Sequence, residues 1–406
     1  GLESKLTFSH TENNRPTSEA AFEPYDEMES QTATLPSWDQ QANTLVWDMG
    51  YEFQNGMELI NQLQYSAVNT DRVSAPVTNG SATIDQDNVS NETRLTFGTE
   101  SSLISGVSGL FLSRTTADET LNLRGMSLFD DDKKSLGIYS EVSYRPWAQW
   151  TLTAGLRYQL DEIGRSGTSA FASGPLDYDE TFDAWLPKFS VAYDIVPTLT
   201  VGTLIDRGYN PGGVSLSFLT GDYVAFDPET LWNYELFTRA SLLGGRLFVG
   251  ANLFYSDFND AQRYVQTVLP GNIGQSLTVN AESAKSYGLE LEANYQVLKT
   301  LRVRGGVGFT QTEITKFTNA LADFQGNEFG RTPDVTVSLA ADWDITSRLN
   351  LAGQVSYTGA YYSTDENDDA YEIDPYTLVN AKLGYRLTET VQVFTYVNNA
   401  FNDHSP

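Results

Sequence analysis

Residues 150–160, Trp-Thr-Leu-Thr-Ala-Gly-Leu-Arg-Tyr-Gln-Leu, alternate between an apolar face and a polar face. The apolar face carries Trp150, Leu152, Ala154, Leu156, Tyr158 and Leu160, and the polar face carries Thr151, Thr153, Gly155, Arg157 and Gln159. A period of two residues is that of an extended strand whose two faces meet different surroundings. The same split recurs in residues 289–297 and 301–309. Amphipathic strands are therefore the building units of this chain.

The predicted strands come in pairs that are joined by short turns and separated by longer polar connections. The pairs are 43–54 with 57–67, 92–100 with 104–115, 136–145 with 150–160, 183–194 with 199–208, 232–242 with 247–257, 285–296 with 300–312, 333–343 with 349–359, and 376–386 with 391–399. In an antiparallel meander successive connections alternate between the two ends of the sheet. The short turns should therefore share one side and the long connections the other. This arrangement is typical of a transmembrane antiparallel β-barrel, with periplasmic turns and extracellular loops.

Strand length and aromatic placement favour a membrane barrel over a soluble β-sandwich. Strands of about 9–11 residues suit a tilted crossing of the hydrocarbon, whereas globular strands average about 5–6 residues. The apolar faces carry aromatic residues near both strand ends, where Tyr and Trp can meet lipid and water together. On the loop side these are Tyr158, Trp185, Trp232, Tyr234, Tyr255 and Tyr357, and on the turn side Tyr144, Trp150, Tyr193, Tyr295, Trp343 and Tyr385.

Composition narrows the function classes. The net charge of −28 argues against nucleic acid as a partner, because phosphate binding needs Lys and Arg. The chain has no cysteine, which excludes disulfides, and no catalytic motif, so we expect neither an enzyme nor a bound cofactor. The acidic runs 130–132, 177–180 and 365–369 are predicted to lie in the long connections as a solvated outer surface. A calcium loop within 365–374 is the alternative, since hard cations bind carboxylate oxygens.

Several phrases resemble the β-barrel domain of TonB-dependent outer-membrane receptors, especially those for iron–siderophore complexes. Residues 227–236, Asp-Pro-Glu-Thr-Leu-Trp-Asn-Tyr-Glu-Leu, resemble a strand entry of that family, although Phe237 stands where glycine is usual. Residues 207–213, 286–292 and 331–333 resemble further family phrases, and 391–403 resembles the penultimate strand with its exit turn. The order and spacing of these phrases match the family over roughly 130–403.

The resemblance implies a barrel of about 22 strands in the outer membrane of a Gram-negative bacterium. One strand near 2–10 and the eight pairs make about 17, so residues 1–406 are expected to be a partial barrel without the plug domain and terminal strands. The implied function is TonB-dependent active import of a ferric siderophore or a similar scarce ligand. The implied partners are TonB, acting through the plug, and lipid with lipopolysaccharide.

The ligand contacts that the resemblance implies are loop-side Arg and aromatic residues, because ferric siderophores are often anionic. The candidates at strand-to-loop transitions are Arg207, Tyr209, Arg263, Tyr264 and Arg331. Each could instead be a lumen-wall charge or a belt aromatic. A passive outer-membrane channel and a secreted all-β binding protein or glycan hydrolase remain alternatives to active transport. No metal site is predicted among the candidates.

Overall fold

Most of the described chain forms one antiparallel sheet of 17 strands, in agreement with the predicted number. The computed structural model describes residues 1–16, 37–74, 80–122, 125–217, 220–269, 273–318 and 323–403. Within these ranges, no helix is long and apolar enough to cross a bilayer.

Long strands dominate the sheet. Its members are β1 (Leu2–Pro16), β2 (Ser37–Glu52), β3 (Glu58–Val73), β4 (Ser81–Phe97), β5 (Ile104–Asn122), β6 (Met126–Trp147), β7 (Trp150–Thr168), β8 (Leu176–Val196), β9 (Leu199–Asn210), β12 (Glu229–Leu242), β13 (Leu247–Leu269), β14 (Ile273–Leu298), β15 (Leu301–Lys316), β16 (Val335–Asp344), β17 (Leu349–Thr358), β20 (Tyr376–Arg386) and β21 (Gln392–Val397). Two small hairpins lie in the connections, β10 (Gly213–Ser217) with β11 (Asp222–Phe226), and β18 (Tyr361–Tyr362) with β19 (Glu372–Ile373). A 3-10 turn spans Asp369–Tyr371.

Successive strands of the large sheet pair with one another in chain order. The two small hairpins are not part of this sheet and are skipped in that order. Strand β9 therefore pairs with β12, and β17 pairs with β20. Within the described ranges, β1 and β21 each pair on one side only, with β2 and β20 respectively. The sheet is a meander, as the alternation of short and long connections predicts.

Several strands extend further on the loop side than the sequence predicts. The predicted strand 150–160 continues to Thr168, and its partner begins at Leu176 rather than at residue 183. Strands β13 and β14 likewise run through most of 259–284, the segment between the predicted strands 247–257 and 285–296. Beyond the apolar band the regular alternation between a lipid-facing apolar side and a polar side ends, although backbone pairing continues.

The acidic runs 130–132 and 177–180 were expected in connections, and that placement is wrong. Both lie in these strand extensions, on β6 and β8. Asp131 is buried and pairs with Arg165, which also binds Glu119 at 2.6 Å. Asp132 instead faces outward, where Arg114 donates to it at 2.9 Å. The extensions are thus held by ion pairs as well as by backbone hydrogen bonds.

The apolar faces of the strands form the outer surface of the sheet, with aromatic rings at both edges of the band. Tyr158 packs against Trp185 on the loop side, with ring centroids 4.8 Å apart. Trp150 packs against Tyr193 on the turn side at 4.7 Å. Between them lie outward aliphatic side chains such as Leu156, which is 46% exposed. The two predicted belts are therefore present, and the exposed apolar surface between them suits lipid.

A buried apolar cluster, here called the loop core, lies on the loop side. Its members are Ala261, Val265, Leu277, Val279, Ala281, Ala284, Ile314, Phe317, Phe324 and Phe329. Asp260 has a φ of 53°, which interrupts the alternation of faces along β13. Before Asp260 the even-numbered Phe258 packs against the loop core, and after it the odd-numbered Ala261 and Val265 belong to that core. This local break in the pleat turns the apolar face of the β13–β14 ribbon toward the connections after β15.

Candidate functional site

Polar residues of the strands border an open space on the inner side of the sheet. A cavity of about 850 Å³ is bordered by Glu141, Thr153, Lys188, Glu235 and Glu292, among other residues. Thr153 belongs to the face of β7 that the sequence assigns to the lumen, and Leu152, on its apolar face, does not border this cavity. The inward orientation of the polar face is therefore confirmed for this wall.

On the loop side of this wall, three neighbouring strands bring two aromatic rings and a guanidinium together. The Arg157 Cζ lies 5.6 Å from the centroid of the Tyr139 ring and 5.8 Å from that of Phe111. The Tyr139 hydroxyl donates to a Glu92 carboxylate oxygen at 2.5 Å. We call Phe111, Tyr139, Arg157 and Gln159 the wall cluster. Arg157 is on the same face of β7 as Thr153, so the wall cluster faces the lumen.

Hydrogen bonds fix the guanidinium of the wall cluster. The Nε and Nη2 atoms of Arg157 donate to the Gln159 Oε1 at 2.9 and 2.6 Å. The Gln159 amide in turn donates to Asp161 at 2.9 Å, and Ser135 donates to the same carboxylate oxygen at 2.6 Å. Asp161 is buried, so this chain of contacts anchors the cluster in the interior of the strand extension.

Two glycines make room for the wall cluster. A Cβ at Gly137 would lie 2.3 Å from the Arg157 Nη2, and a Cβ at Gly109 would lie 2.4 Å from the Tyr139 Cζ. Such separations are far below van der Waals contact, so the two side chains lie flat across strand positions that have no side chain of their own. Glycine in a strand commonly marks this kind of close approach.

The wall cluster lies at the depth of the loop-side belt. Tyr158, the next residue along β7, points outward and packs against Trp185. Consecutive strand residues point to opposite faces at the same height. Arg157 is therefore near the loop-side end of the membrane-spanning part of the lumen. Arg157 falls on the polar face of the predicted strand, but nothing in the sequence marks it as a ligand contact, because its aromatic neighbours come from other strands.

Of the predicted contact residues, Arg263 is packed into the loop core. Its Cζ lies 3.7 Å from the centroid of the Phe329 ring, and burial lowers the pKa of the Arg263 guanidinium. Its Nε has no hydrogen-bond partner among the described residues. Tyr264, the next residue, has the opposite orientation and is 64% exposed. These two neighbours therefore cannot contact one ligand from the same face.

Arg207 and Tyr209 lie on β9. Arg207 is opposite Trp232, and its Nη1 donates to the backbone oxygen of Trp185 at 3.4 Å. Asp206, the preceding residue, is opposite Lys188 of the inner wall, so Arg207 belongs to the outward face. The Tyr209 hydroxyl is buried, and that burial together with the charge of Asp161 raises the pKa of Tyr209.

Arg331 lies in the connection after β15, with an exposed side chain and a φ of 61°. Its backbone N–H donates to the Tyr362 oxygen at 2.6 Å. The described contacts include no hydrogen bond, ion pair or ring contact that joins two of the five predicted residues. The structure thus distributes them over β9, β13 and this connection.

Hydrogen bonds join the connection 359–375 to the connection after β15. The Asn367 amide accepts from the Glu328 backbone N–H at 2.6 Å and donates to the Glu328 oxygen at 3.0 Å. Asn327 donates to the backbone oxygens of Asp365 and Glu366, and the Gly330 N–H donates to the Asp365 carboxylate at 2.7 Å. Burial raises the pKa of Asp365, which is the most enclosed member of its acidic run.

These contacts bear on the calcium alternative for 365–374. Asp365 is engaged by a backbone N–H, and Asp368 caps the 3-10 turn by accepting from Ala370. No group of three or more His, Asp or Glu side chains in the described parts of the chain is arranged to hold a metal ion. Within the acidic run 365–369, Asp365 therefore contributes to the hydrogen bonds that join the two connections.

Comparisons with known proteins give one family. A family model described as TonB dependent receptor-like, beta-barrel, matches residues 4–400. The crystal structure of the ferric yersiniabactin uptake receptor FyuA from Yersinia pestis superposes with a TM-score of 0.82 at 19% identity, covering 99% of this chain and 63% of that one. The siderophore receptor PiuA from Acinetobacter baumannii gives a TM-score of 0.79 at 13% identity, covering 99% and 68%.

Curated sequences agree with this result. The metal-pseudopaline receptor CntO of Pseudomonas aeruginosa is 26% identical over 55% of this chain and 30% of its own length. The pesticin receptor of Yersinia pestis is 24% identical over 66% of this chain and 39% of its own length. The aligned part of the chain therefore covers about a third of the length of these two curated relatives.

Proposed function

The chain belongs to the TonB-dependent receptors, β-barrel proteins of the Gram-negative outer membrane, and we propose that the protein containing it actively imports a ferric siderophore or a similar scarce chelate. TonB is the proposed source of the energy for transport. The names of several relatives, such as the ferric-pyoverdine M114 receptor PbuA of Pseudomonas, support a metal chelate as the ligand.

The observation that carries the proposal is the inward-facing wall cluster at the extracellular end of the lumen. A guanidinium offers directed donors to carboxylate or phenolate oxygens, and aromatic rings offer contact area to a chelate's organic frame. A wall for passive diffusion needs water-filled space but has no need of a side chain held in one orientation by rings, an amide and two glycines. The cluster is thus better suited to recognition than to unselective passage.

The five residues predicted from the sequence take different parts in this proposal. Tyr264 on β13 and Arg331 in the connection after β15 have exposed side chains and are proposed as ligand contacts. Arg207, Tyr209 and Arg263 are partly or largely enclosed, and we propose that they shape the mouth of the barrel. Arg263 does so by packing on Phe329 within the loop core.

Lipopolysaccharide is the proposed partner of the outer face on the loop side. Exposed Leu112 is followed two residues later on the same face by Arg114, which is paired with Asp132. Lys134, opposite Arg114 on β6, is paired with Glu162. This change from aliphatic to charged side chains supports a headgroup level just beyond the loop-side belt.

The experiment is iron uptake by cells that lack the receptor gene and carry it again on a plasmid. Radiolabelled iron is supplied as anionic catecholate, anionic citrate and neutral hydroxamate complexes, with and without an uncoupler of the inner membrane. We expect receptor-dependent uptake of at least one complex, which the uncoupler abolishes. Uptake that persists with the uncoupler and rises linearly with concentration would establish a passive channel instead.

A further inference from the structure

We infer that Arg157 forms an anion-binding subsite on the lumen wall and that it selects negatively charged ferric chelates over neutral ones. This inference rests on the proposed function, since it names the class of ligand that the wall cluster would accept. The groups recognised are carboxylate, phenolate or catecholate oxygens on the surface of the chelate.

The first reason is the charge balance of the wall. Two of the inward-facing cations have a carboxylate partner: Lys188 lies 2.8 Å from Glu141, and Arg94 lies 3.8 Å from Glu92. Arg157 has no carboxylate oxygen within 4.0 Å among the described residues, and the acceptor of its two described hydrogen bonds is a neutral amide. Its charge is therefore held in the lumen without a direct counter-charge. Arg239, which borders the inner cavity, has no described ion pair either, but a single ring, that of Phe237, lies beside it.

The second reason is that the guanidinium is already oriented. Rings on β5 and β6 flank it, Gln159 fixes two of its nitrogens, and the absent side chain of Gly137 leaves it a flat position on the wall. When a ligand binds a flexible arginine, ordering the side chain costs entropy. The Arg157 side chain is already ordered in the folded protein, so most of that entropy is lost on folding rather than on binding. The remaining nitrogen, Nη1, has no described hydrogen bond, so it is available to a ligand oxygen.

The third reason is position. The wall cluster lies at the depth of the loop-side belt, on the same face of β7 as Thr153, which borders the inner cavity. An anionic chelate that passes the acidic outer surface would gain hydrogen bonds and net-charge attraction from a cation without a direct counter-charge. A neutral chelate could accept hydrogen bonds from the same guanidinium but would gain no attraction of net charge, so the subsite favours anionic chelates.

The test is equilibrium binding to the purified full-length receptor and three variants, measured by titration calorimetry. The probes are an anionic ferric tris-catecholate, anionic ferric citrate and a neutral ferric tris-hydroxamate. Arg157→Gln removes the charge, and Arg157→Lys keeps the charge without the planar fork. Arg114→Gln is the matched control, because it makes the same change at a paired arginine on the outward face.

We expect wild-type receptor to bind at least one anionic probe, and Arg157→Gln to weaken that binding roughly 10- to 100-fold, the range for a lost hydrogen bond to a charged group. Arg157→Lys should retain part of the affinity, and Arg114→Gln should change it by less than about twofold. Added salt should weaken anion binding more in wild type than in Arg157→Gln.

Two results would overturn the inference. If a probe binds the wild type and Arg157→Gln binds it equally well with unchanged salt dependence, Arg157 is not a ligand contact, although the proposed transport still holds. If no ferric probe binds the wild type, the proposed function fails together with the subsite. Thermal unfolding of each variant separates these results from misfolding, because Arg157→Lys should fold and bind even if Arg157→Gln is destabilised.

Discussion

Replacing Leu152 with arginine tests which face of β7 meets lipid. Leu152 is opposite Tyr144 on β6 and Val191 on β8, both of which are exposed on the outer surface. Thr153, the next residue, lines the inner cavity and supplies the matched control. The two substitutions therefore place the same charge at nearly the same height on opposite faces of one strand.

The magnitude follows from the depth of the residue. Trp150 and Tyr158 mark the two belts on β7. At about 3.4 Å per residue and a tilt of about 40°, the belts are about 21 Å apart along the membrane normal. Ala154 lies midway, and Leu152 is about 5 Å nearer the turn side by the same geometry. Arginine on the lipid face costs about 2–4 kcal/mol at the midplane and about 0–1 kcal/mol near the interfaces.

We therefore expect Leu152→Arg to lower the free energy of unfolding by about 2 kcal/mol and Ala154→Arg by up to about 4 kcal/mol. Thr153→Arg should leave it nearly unchanged, because its side chain enters a polar lumen. The assay is denaturant unfolding of the full-length receptor in lipid vesicles, with heat-modifiable electrophoretic mobility as the test of folding. Equal losses for Leu152→Arg and Thr153→Arg would refute the assignment of faces.

Three further perturbations test the loop side. Arg165→Gln should destabilise the extension of β5 to β7 by about 3–5 kcal/mol, because it leaves Glu119 and Asp131 enclosed without their cation; faster amide exchange in β6 would show this. Asn367→Ala should free the connection 359–375 from Glu328 at a cost of about 1–3 kcal/mol, seen as faster exchange at that backbone N–H, and unchanged exchange would refute the junction. Burial raises the pKa of Asp365 above the pKa of the same side chain in the unfolded chain, so its contribution to stability should be full at low pH and should fall as pH rises through the raised pKa. Amide hydrogen exchange at the Gly330 N–H, corrected for intrinsic rates, should become faster over that pH range. Slower exchange as pH rises would contradict the prediction.

The sequence was sufficient to predict the meander, the number of strands and the two faces of the membrane-spanning part. These properties follow from a period of two that is imposed by lipid on one side and water on the other. The apolar or polar character of residues such as Leu152 and Thr153 therefore predicts which face of the sheet each side chain is on. The predicted strands are too short on the loop side. Asp130 and Asp132 on β6 are polar residues with polar neighbours along the strand, so no alternation of apolar and polar residues marks this part of the strand.

The wall cluster could not be read from the sequence. Phe111, Tyr139 and Arg157 meet only because the register pairs β5 with β6 and β6 with β7, with Gly109 and Gly137 opposite the large side chains. Arg263 shows the converse. Its place at a strand end suggested an exposed contact, but the pleat breaks at Asp260 and turns it onto Phe329.

The direction of import depends on which end of the sheet faces the outside of the cell, and one labelling experiment measures this directly. The chain has no cysteine, so single cysteines can be introduced at Gly174 in the β7–β8 connection and at Ala148 in the β6–β7 turn. No heavy atom lies within 4 Å of a Cβ built at Gly174, so a side chain fits there. With a membrane-impermeant maleimide, Gly174→Cys should be labelled on intact cells, and Ala148→Cys only after the outer membrane is permeabilised. Labelling of Ala148→Cys but not Gly174→Cys on intact cells would reverse the topology and contradict the proposed import.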